Sequence, residues 1–527
     1  MSVEGVMVSY NYSEDEEHAN ILTVSASGIR FSKRWVLTHG SILSPLQQAS
    51  IIQKTKGKPI LNEEFYNNLP EIYVTCEKRT NSSGLYGGVE RLSRERNLDN
   101  DVDFEHSSYN MRVLTGRICH VWQCPILDRC VDEILYSWTI GHRDGDVEKQ
   151  TQLGKALLSV FVLVDLESDD RALKTLRPLS ELLDMVRPPP ERGSSVEVHS
   201  TPFGCEVFLN AVTRGSICGI VGKKPSLLLT DAGTALGSEG GPIFTEGPTK
   251  ELIGCIVCSV SWWRGEWVGL TLAAPLVSVL SAKLRVPPPK VMRALPSHPH
   301  AEILERIDST TVLVRCGGEW GAGVYVGSGF VLTCAHVVKK YASNKVSLYC
   351  RGVKETAIVR YKTTDDKAYD LALLYTNPQH WGHLTPAVFA DDAVEKGESV
   401  LAAGYPYYNE GNLDDLKPTV TSGHVNNVSP SMLQTSCCIQ SGFSGGPIYR
   451  LTKSRSLIEV LGIIVSNTRT QTGACYPYIN MAVPAKAFKS LLHNFSLDKD
   501  ISKLRSLDNN KEIVQSQWRL LPYRSKI

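Results

Sequence analysis

The sequence predicts an all-β protein built as two tandem double-β-barrel units, the N-terminal copy degenerate. Three observations predict it. Short apolar or alternating runs recur along the 527 residues with turn signals between them. Helical periodicity is scarce, with one good candidate at residues 484–493. The two halves also carry the same landmarks in the same order, which marks a duplication.

Composition narrows the function classes. The 56 basic and 55 acidic side chains leave a net charge of +1. No global field draws the chain to nucleic acid or anionic lipid, so neither is an expected partner. With 42% hydrophobic residues, each unit can build an ordinary core. The apolar run at 156–164 is too short for a bilayer helix, which needs about 20 residues. It reads as a buried strand, and no membrane association is expected. The N-terminus turns acidic by 13–17 and lacks the basic and apolar regions of a secretory signal. The 14 cysteines therefore read as free thiols. Cys255 and Cys258 have metal-like spacing, but they sit in an apolar run without a second pair. They read as core residues, and no metal site is expected.

The chain divides at proline-rich 286–300, where prolines remove donors and favour an extended spacer. The expected layout is a degenerate unit at 1–285, the linker, a second unit at 301–495 and a tail at 496–527. Polar residues 78–110 read as an exposed insertion. Strands are expected at 312–315, 323–326, 330–332, 345–349, 357–361, 371–375 and 399–403. The repeat is specific: EGGPIF at 239–244 lies over SGGPIY at 444–449, and WVLT at 35–38 answers FVLT at 330–333. From Val36 to Glu239 is 203 positions, but from Val331 to Ser444 only 113, so the first copy carries insertions.

The second copy carries the chemistry. Ser444 sits in GFSGGP at 442–447. A serine hydroxyl needs a base to become a nucleophile. The flanking glycines permit a sharp turn whose N–H groups, from Gly442 and Ser444, can form an oxyanion hole. Upstream, VLTCAH ends in His336, a general base at a strand edge. Asp370 heads the apolar run DLALL, placed to orient the imidazole. The order His336, Asp370, Ser444 is that of chymotrypsin, not of subtilisin or the α/β-hydrolases. It places His and Asp on one barrel and Ser on the next, with the site between them. No cofactor is required.

Residues 305–492 resemble trypsin-fold serine proteases of the HtrA/Deg type. The segments at 329–336, 370–374, 404–406, 419–423, 442–447, 461–466 and 481–484 carry the resemblance. It implies an S1 pocket with Cys438 near its base and Val465 to Thr468 along one wall. No acid stands at that base, so a small or apolar P1 residue is expected. Phe443 stands where HtrA proteases usually have Asn. Little chain follows His493 for a PDZ module.

In the first copy Glu239 replaces the serine, and His39 directly follows Thr38. Asp165 follows the apolar run instead of preceding it. This copy is expected to be inactive. The C-terminus, Ser525-Lys526-Ile527, is close to the Ser-Lys-Leu peroxisomal address. Taken together, these features resemble the peroxisomal leader-peptide-processing proteases. That resemblance implies a peroxisomal matrix endopeptidase. Its partners would be matrix protein substrates, often cut after Cys, the import receptor at the C-terminus, and further copies of itself. It also implies self-cleavage in the N-terminal half, for which Cys119, Cys124 and Cys130 are candidates beside the polar insertion. Two rivals stand beside it: a cytosolic HtrA-like protease, and a peptide-binding scaffold without turnover.

Overall fold

The computed structural model describes residues 3–13, 21–46, 69–77, 111–134, 154–167, 175–288 and 299–518. Short stretches at 223–224, 248, 264–265, 344, 366, 407, 409–412, 414–415, 452–457, 470–474 and 509–510 are excepted. The insertion read at 78–110, much of the linker, and Ser525, Lys526 and Ile527 lie outside the described residues.

The strands close into four barrels of six strands each. They run from Glu4 to Asp165, Ser195 to Pro275, Thr311 to Tyr375 and Ser399 to Pro484. Counting strands within a barrel, neighbours follow the order 1-2-3-6-5-4 in all four, and strand 4 closes back on strand 1. Closure leaves no unpaired sheet edge. The third strand of the first barrel, Trp35–His39, and that of the third barrel, Phe330–Thr333, are buried at every position. This is why both read as continuous apolar runs instead of alternating ones. The two halves thus repeat one architecture, all-β and tandem.

Each strand expected in the second copy is present within a residue or a few of its expected ends. The expected C-terminal helix is Ala485–Asp498, longer than the run that predicted it. It buries Ala485, Phe488, Leu492 and Phe495, spaced to form one face. Two expectations need correction. Pro299, read as linker, opens the helix Pro299–Thr310, because a helix's first turn tolerates proline's missing N–H. The strand expected at 156–164 begins only at Val160, after a short helical turn at 154–157. Helices at Pro125–Ile134, Arg177–Met185 and Leu276–Leu284 were also not foreseen.

The copies meet through equivalent strands. Ala211–Val221 packs on Thr419–Val428, and Glu266–Pro275 packs on Cys475–Pro484. These are strands 2 and 6 of the second barrel in each copy, so the contact is self-complementary in the manner of a two-fold interface. The Asp231 carboxylate bridges it, accepting from Ser216 N–H at 2.6 Å and from Ser422 N–H at 3.3 Å. A second bridge is a buried ion pair. Arg192 of the first copy donates to Asp308 and to the Pro418 carbonyl of the second. The two side chains are 9% and 6% exposed.

Removing one member of a buried pair costs up to about 3–5 kcal/mol, here partly offset because Lys417 Nζ also lies 3.7 Å from Asp308. Arg192→Met is therefore expected to lower the urea midpoint clearly. The double variant Arg192→Met/Asp308→Leu should recover most of the loss. Tryptophan fluorescence during urea unfolding measures both.

Candidate active site

The site is built from strand ends. Thr333 Oγ1 donates to Ala322 C=O at 2.7 Å and pins the end of its strand. The chain then turns, and His336 opens a short 3-10 turn, His336–Val338. Thr333 pairs with Ala372, so the register leaves Asp370 just beyond the same pair of strands. There it holds His336 twice. Asp370 Oδ1 accepts the backbone N–H of His336 at 3.0 Å, and Oδ2 pairs with the ring Nδ1. A proton on Nδ1 facing the carboxylate leaves Nε2 as the free basic nitrogen. The imidazole is 47% exposed and the carboxylate 27%.

Ser444 arrives from the fourth barrel. Its carbonyl accepts Ala322 N–H at 2.8 Å. The next residue, Gly445, donates its N–H to Ile464 C=O at 2.8 Å, and the Cys334 thiol donates to the same oxygen at 3.1 Å. The serine turn is thereby tied to the strand end that carries His336. Burial, and secondarily the charge of Asp370, push the Cys334 thiol well up, so it stays protonated there.

The turn itself has a defined form. Phe443 N–H donates to Gln440 C=O at 3.0 Å, and Gly442 has φ +98°. That is a type II turn, whose third residue must adopt positive φ. A Cβ on Gly442 would stand 2.5 Å from the Tyr405 carbonyl oxygen. Among the described residues, the N–H groups of Gly442 and Ser444 have no acceptor. Two free donors beside a serine hydroxyl suit a tetrahedral oxyanion. Ser444 Oγ donates to Val465 C=O at 3.1 Å. Among the described residues no hydrogen bond joins it to His336.

Of the residues expected around S1, Cys438 and Val465 are buried and Thr468 is half-buried. Cys438 is 1% exposed and Val465 8%. Thr468 carries a buried Oγ1 without a partner. Two anchors beside Cys438 are new: Asn480, and the role of Asn467 within the expected wall. Asn467 Nδ2 donates to Ile439 C=O at 3.0 Å, and Asn480 Nδ2 donates to Cys437 C=O at 2.7 Å. Between them they fix the backbone on both sides of Cys438. Asparagine is depleted in strands, and its presence inside two of them was the available signal.

Cys119, Cys124 and Cys130 are not on an exposed segment. They are 2%, 1% and 5% exposed, within or beside the strand Met111–Gln123 and the helix that follows it. Cutting after any of them requires local opening. Cys255 and Cys258 lie in the strand Leu252–Trp263, where burial pushes both thiols up to about 12. Among the described residues, one group of three could ligate a metal: Cys334, His336 and Asp370. Its thiol is committed to Ile464 and its imidazole Nδ1 to Asp370.

The register identifies what the first copy has lost. Thr38 pairs with Val162 as Thr333 pairs with Ala372. Ser41 therefore occupies the place of His336, and Val160 that of Asp370. His39 is wholly buried, with its ring at the Leu158 carbonyl, and burial lowers its pKa to about 4. Asp165 instead binds Arg34 at 2.6 Å. Glu239 fills the serine position, and its carboxylate accepts the Gly237 N–H at 2.7 Å. Gly237 is the counterpart of Gly442. The Glu239 carboxylate thus occupies the turn N–H that corresponds to that of Gly442.

Residues 321–458 match the family model of the trypsin-like peptidase domain. The chain is also 35% identical over 358 residues to the "Peroxisomal leader peptide-processing protease" of Mus musculus. It is 34% identical over 354 residues to the Homo sapiens protein of that name. Each alignment takes in 62% of this chain and 60% of the relative, so the chain spans about three-fifths of their length. The "Serine protease Do-like HtrA" of Bacillus subtilis is 34% identical over 136 residues, 23% of this chain and 28% of that one.

Burial raises the Glu239 pKa, and N–H donors only partly offset it. An acid raised in the folded state contributes stability below its unfolded value and loses it as pH climbs through the folded one. Glu239→Gln removes that titration. Its stability relative to the parent chain should therefore rise as pH climbs above the ordinary glutamate value. Parallel thermal melts across a pH series test this, and a constant difference would contradict it.

Proposed function

We propose that the chain is a serine endopeptidase of the peroxisomal matrix that processes imported enzymes, including removal of N-terminal leaders. The observation that carries the hydrolytic reading is the doubly bonded His336–Asp370 pair beside a serine whose turn presents two free N–H groups. The peroxisomal part is supported by the names of the mammalian relatives.

The reaction follows from the geometry. A bound peptide displaces the Ser444 hydroxyl from Val465, and the hydroxyl turns toward His336. His336 Nε2 takes the proton as Oγ attacks the scissile carbonyl. The N–H groups of Gly442 and Ser444 hold the oxyanion. The carbonyl–nitrogen bond breaks, and the imidazolium returns the proton to the leaving amine. Water then attacks the acyl-enzyme with the same base and releases Ser444. Asp370 stays ionised throughout, orienting the ring and stabilising its charged form. The first copy cannot follow this route, because Ser41, Val160 and Glu239 supply neither nucleophile nor base. Self-cleavage in the N-terminal half belongs to the same reading. Because Cys119, Cys124 and Cys130 are buried, a cut there would follow opening of the strand or helix.

A fluorophosphonate probe should label the parent chain and not Ser444→Ala. Asp370→Asn should lose about 10⁴-fold in kcat with KM little changed. Failure of the parent chain to label although folded would sink the hydrolytic reading and favour a peptide-binding scaffold. A tagged chain lacking residues 525–527 should move from peroxisomes to cytosol. An unchanged location would remove the tail as the address. Any clip present in the parent chain and missing from Ser444→Ala is self-processing, and N-terminal sequencing places it.

A further inference from the structure

The first copy keeps its scaffold and has lost its chemistry, so its contact with the second copy is the place to look for a role. That contact falls directly behind Cys438. Although Cys438 belongs to the fourth barrel, it packs in the first copy's apolar cluster, with Cys218, Val260 and Leu270. Burial pushes its thiol up to about 12, and the groups acting on it include the Gly269 N–H of the first copy and the Tyr478 hydroxyl of its own. Tyr478 Oη in turn donates to Gly269 C=O at 3.1 Å. A Cβ on Gly269 would stand 2.2 Å from that hydroxyl oxygen, so any side chain there must push Tyr478 aside. The backbone around Cys438 is already held by Asn467 and Asn480. With the backbone fixed, the contact behind decides how far the Cys438 side chain reaches forward. Asp231 steadies the seam by accepting from both copies.

We infer that the first copy forms the back wall of the S1 pocket, and that the Gly269–Tyr478 contact sets the pocket's depth by holding Cys438 forward. Gly269 and Tyr478 are positioning residues; neither touches the reacting atoms. The pocket ends at Cys438, so it admits small uncharged P1 side chains. The inference rests on the peptidase reading above, with Cys438 at the pocket base.

The test compares full-length parent, Tyr478→Ala and Gly269→Ala on two peptides that differ only at P1, Ala against Leu. The quantity read is the ratio of kcat/KM for P1 Leu to that for P1 Ala. A loss of folded enzyme lowers both values and cancels in the ratio. Tyr478→Ala opens space behind Cys438, and the ratio should rise about 10-fold, the low end of what one methylene commands in an apolar pocket. Gly269→Ala drives Tyr478 toward Cys438, and the ratio should fall. Tyr478→Phe retains the ring volume and should stay nearer the parent. If Gly269→Ala does not fold, the two Tyr478 variants carry the test. Ratios that remain at the parent value in both Tyr478→Ala and Gly269→Ala would overturn the inference and leave the first copy a scaffold. Fluorophosphonate labelling runs alongside. A parent chain that labels at Ser444 with unmoved ratios defeats this inference alone, and one that does not label defeats the peptidase reading with it.

Discussion

One carbonyl oxygen joins the two halves of the site. Ile464 C=O accepts the Gly445 N–H from the serine turn and the Cys334 thiol from the strand end that leads to His336. The proposed nucleophile and base come from different barrels, more than 100 positions apart in sequence. Each barrel is closed and complete, so neither needs the other to satisfy its sheet. Registry between them must come from specific contacts across the seam. Ile464 supplies one, and Ala322 N–H on the Ser444 carbonyl supplies another. Both require a glycine after the serine, because a Cβ on Gly445 would stand 2.2 Å from the Ala322 oxygen.

The first copy retains this seam. Gly240 N–H reaches Ile256 C=O at 2.9 Å, and Thr38 Oγ1 reaches Ser27 C=O at 2.6 Å. These bonds repeat those of Gly445 and Thr333 in the second copy. The active-site side chains have changed while the frame has not. Glu239 shows how the altered site is stabilised. In this turn the carboxylate from the serine position accepts the Gly237 N–H, whose counterpart at Gly442 has no acceptor among the described residues. The frame survives because the Gly240 bond is backbone to backbone and because Thr38 keeps the hydroxyl that makes the other.

Much of the fold was legible in the sequence. GFSGGP, VLTCAH and DLALL marked Ser444, His336 and Asp370, since each couples a strand to a turn whose chemistry is local. The repeat of EGGPIF over SGGPIY revealed the duplication before any strand was seen. Less was legible where the determinant was distant. Helices such as Arg177–Met185 were missed because short amphipathic segments between barrels resemble loops. Pro299 was misplaced because a proline that opens a helix looks, in sequence, like one that excludes it. Cys119, Cys124 and Cys130 lay beside a polar insertion in sequence and inside the core in space.

The sequence by itself determined the barrels, their duplication, and the His, Asp and Ser on which the proposed acyl-transfer chemistry rests. These are properties of periodicity, turn chemistry and residue type, all of short range along the chain. Only the tertiary structure decided that Asn467 and Asn480 anchor the segment around Cys438, and that the first copy's apolar cluster takes in that cysteine. Each joins groups brought together by barrel closure or by the meeting of the two copies. No spacing along the chain encodes such a distance, because it is set by how whole sheets pack.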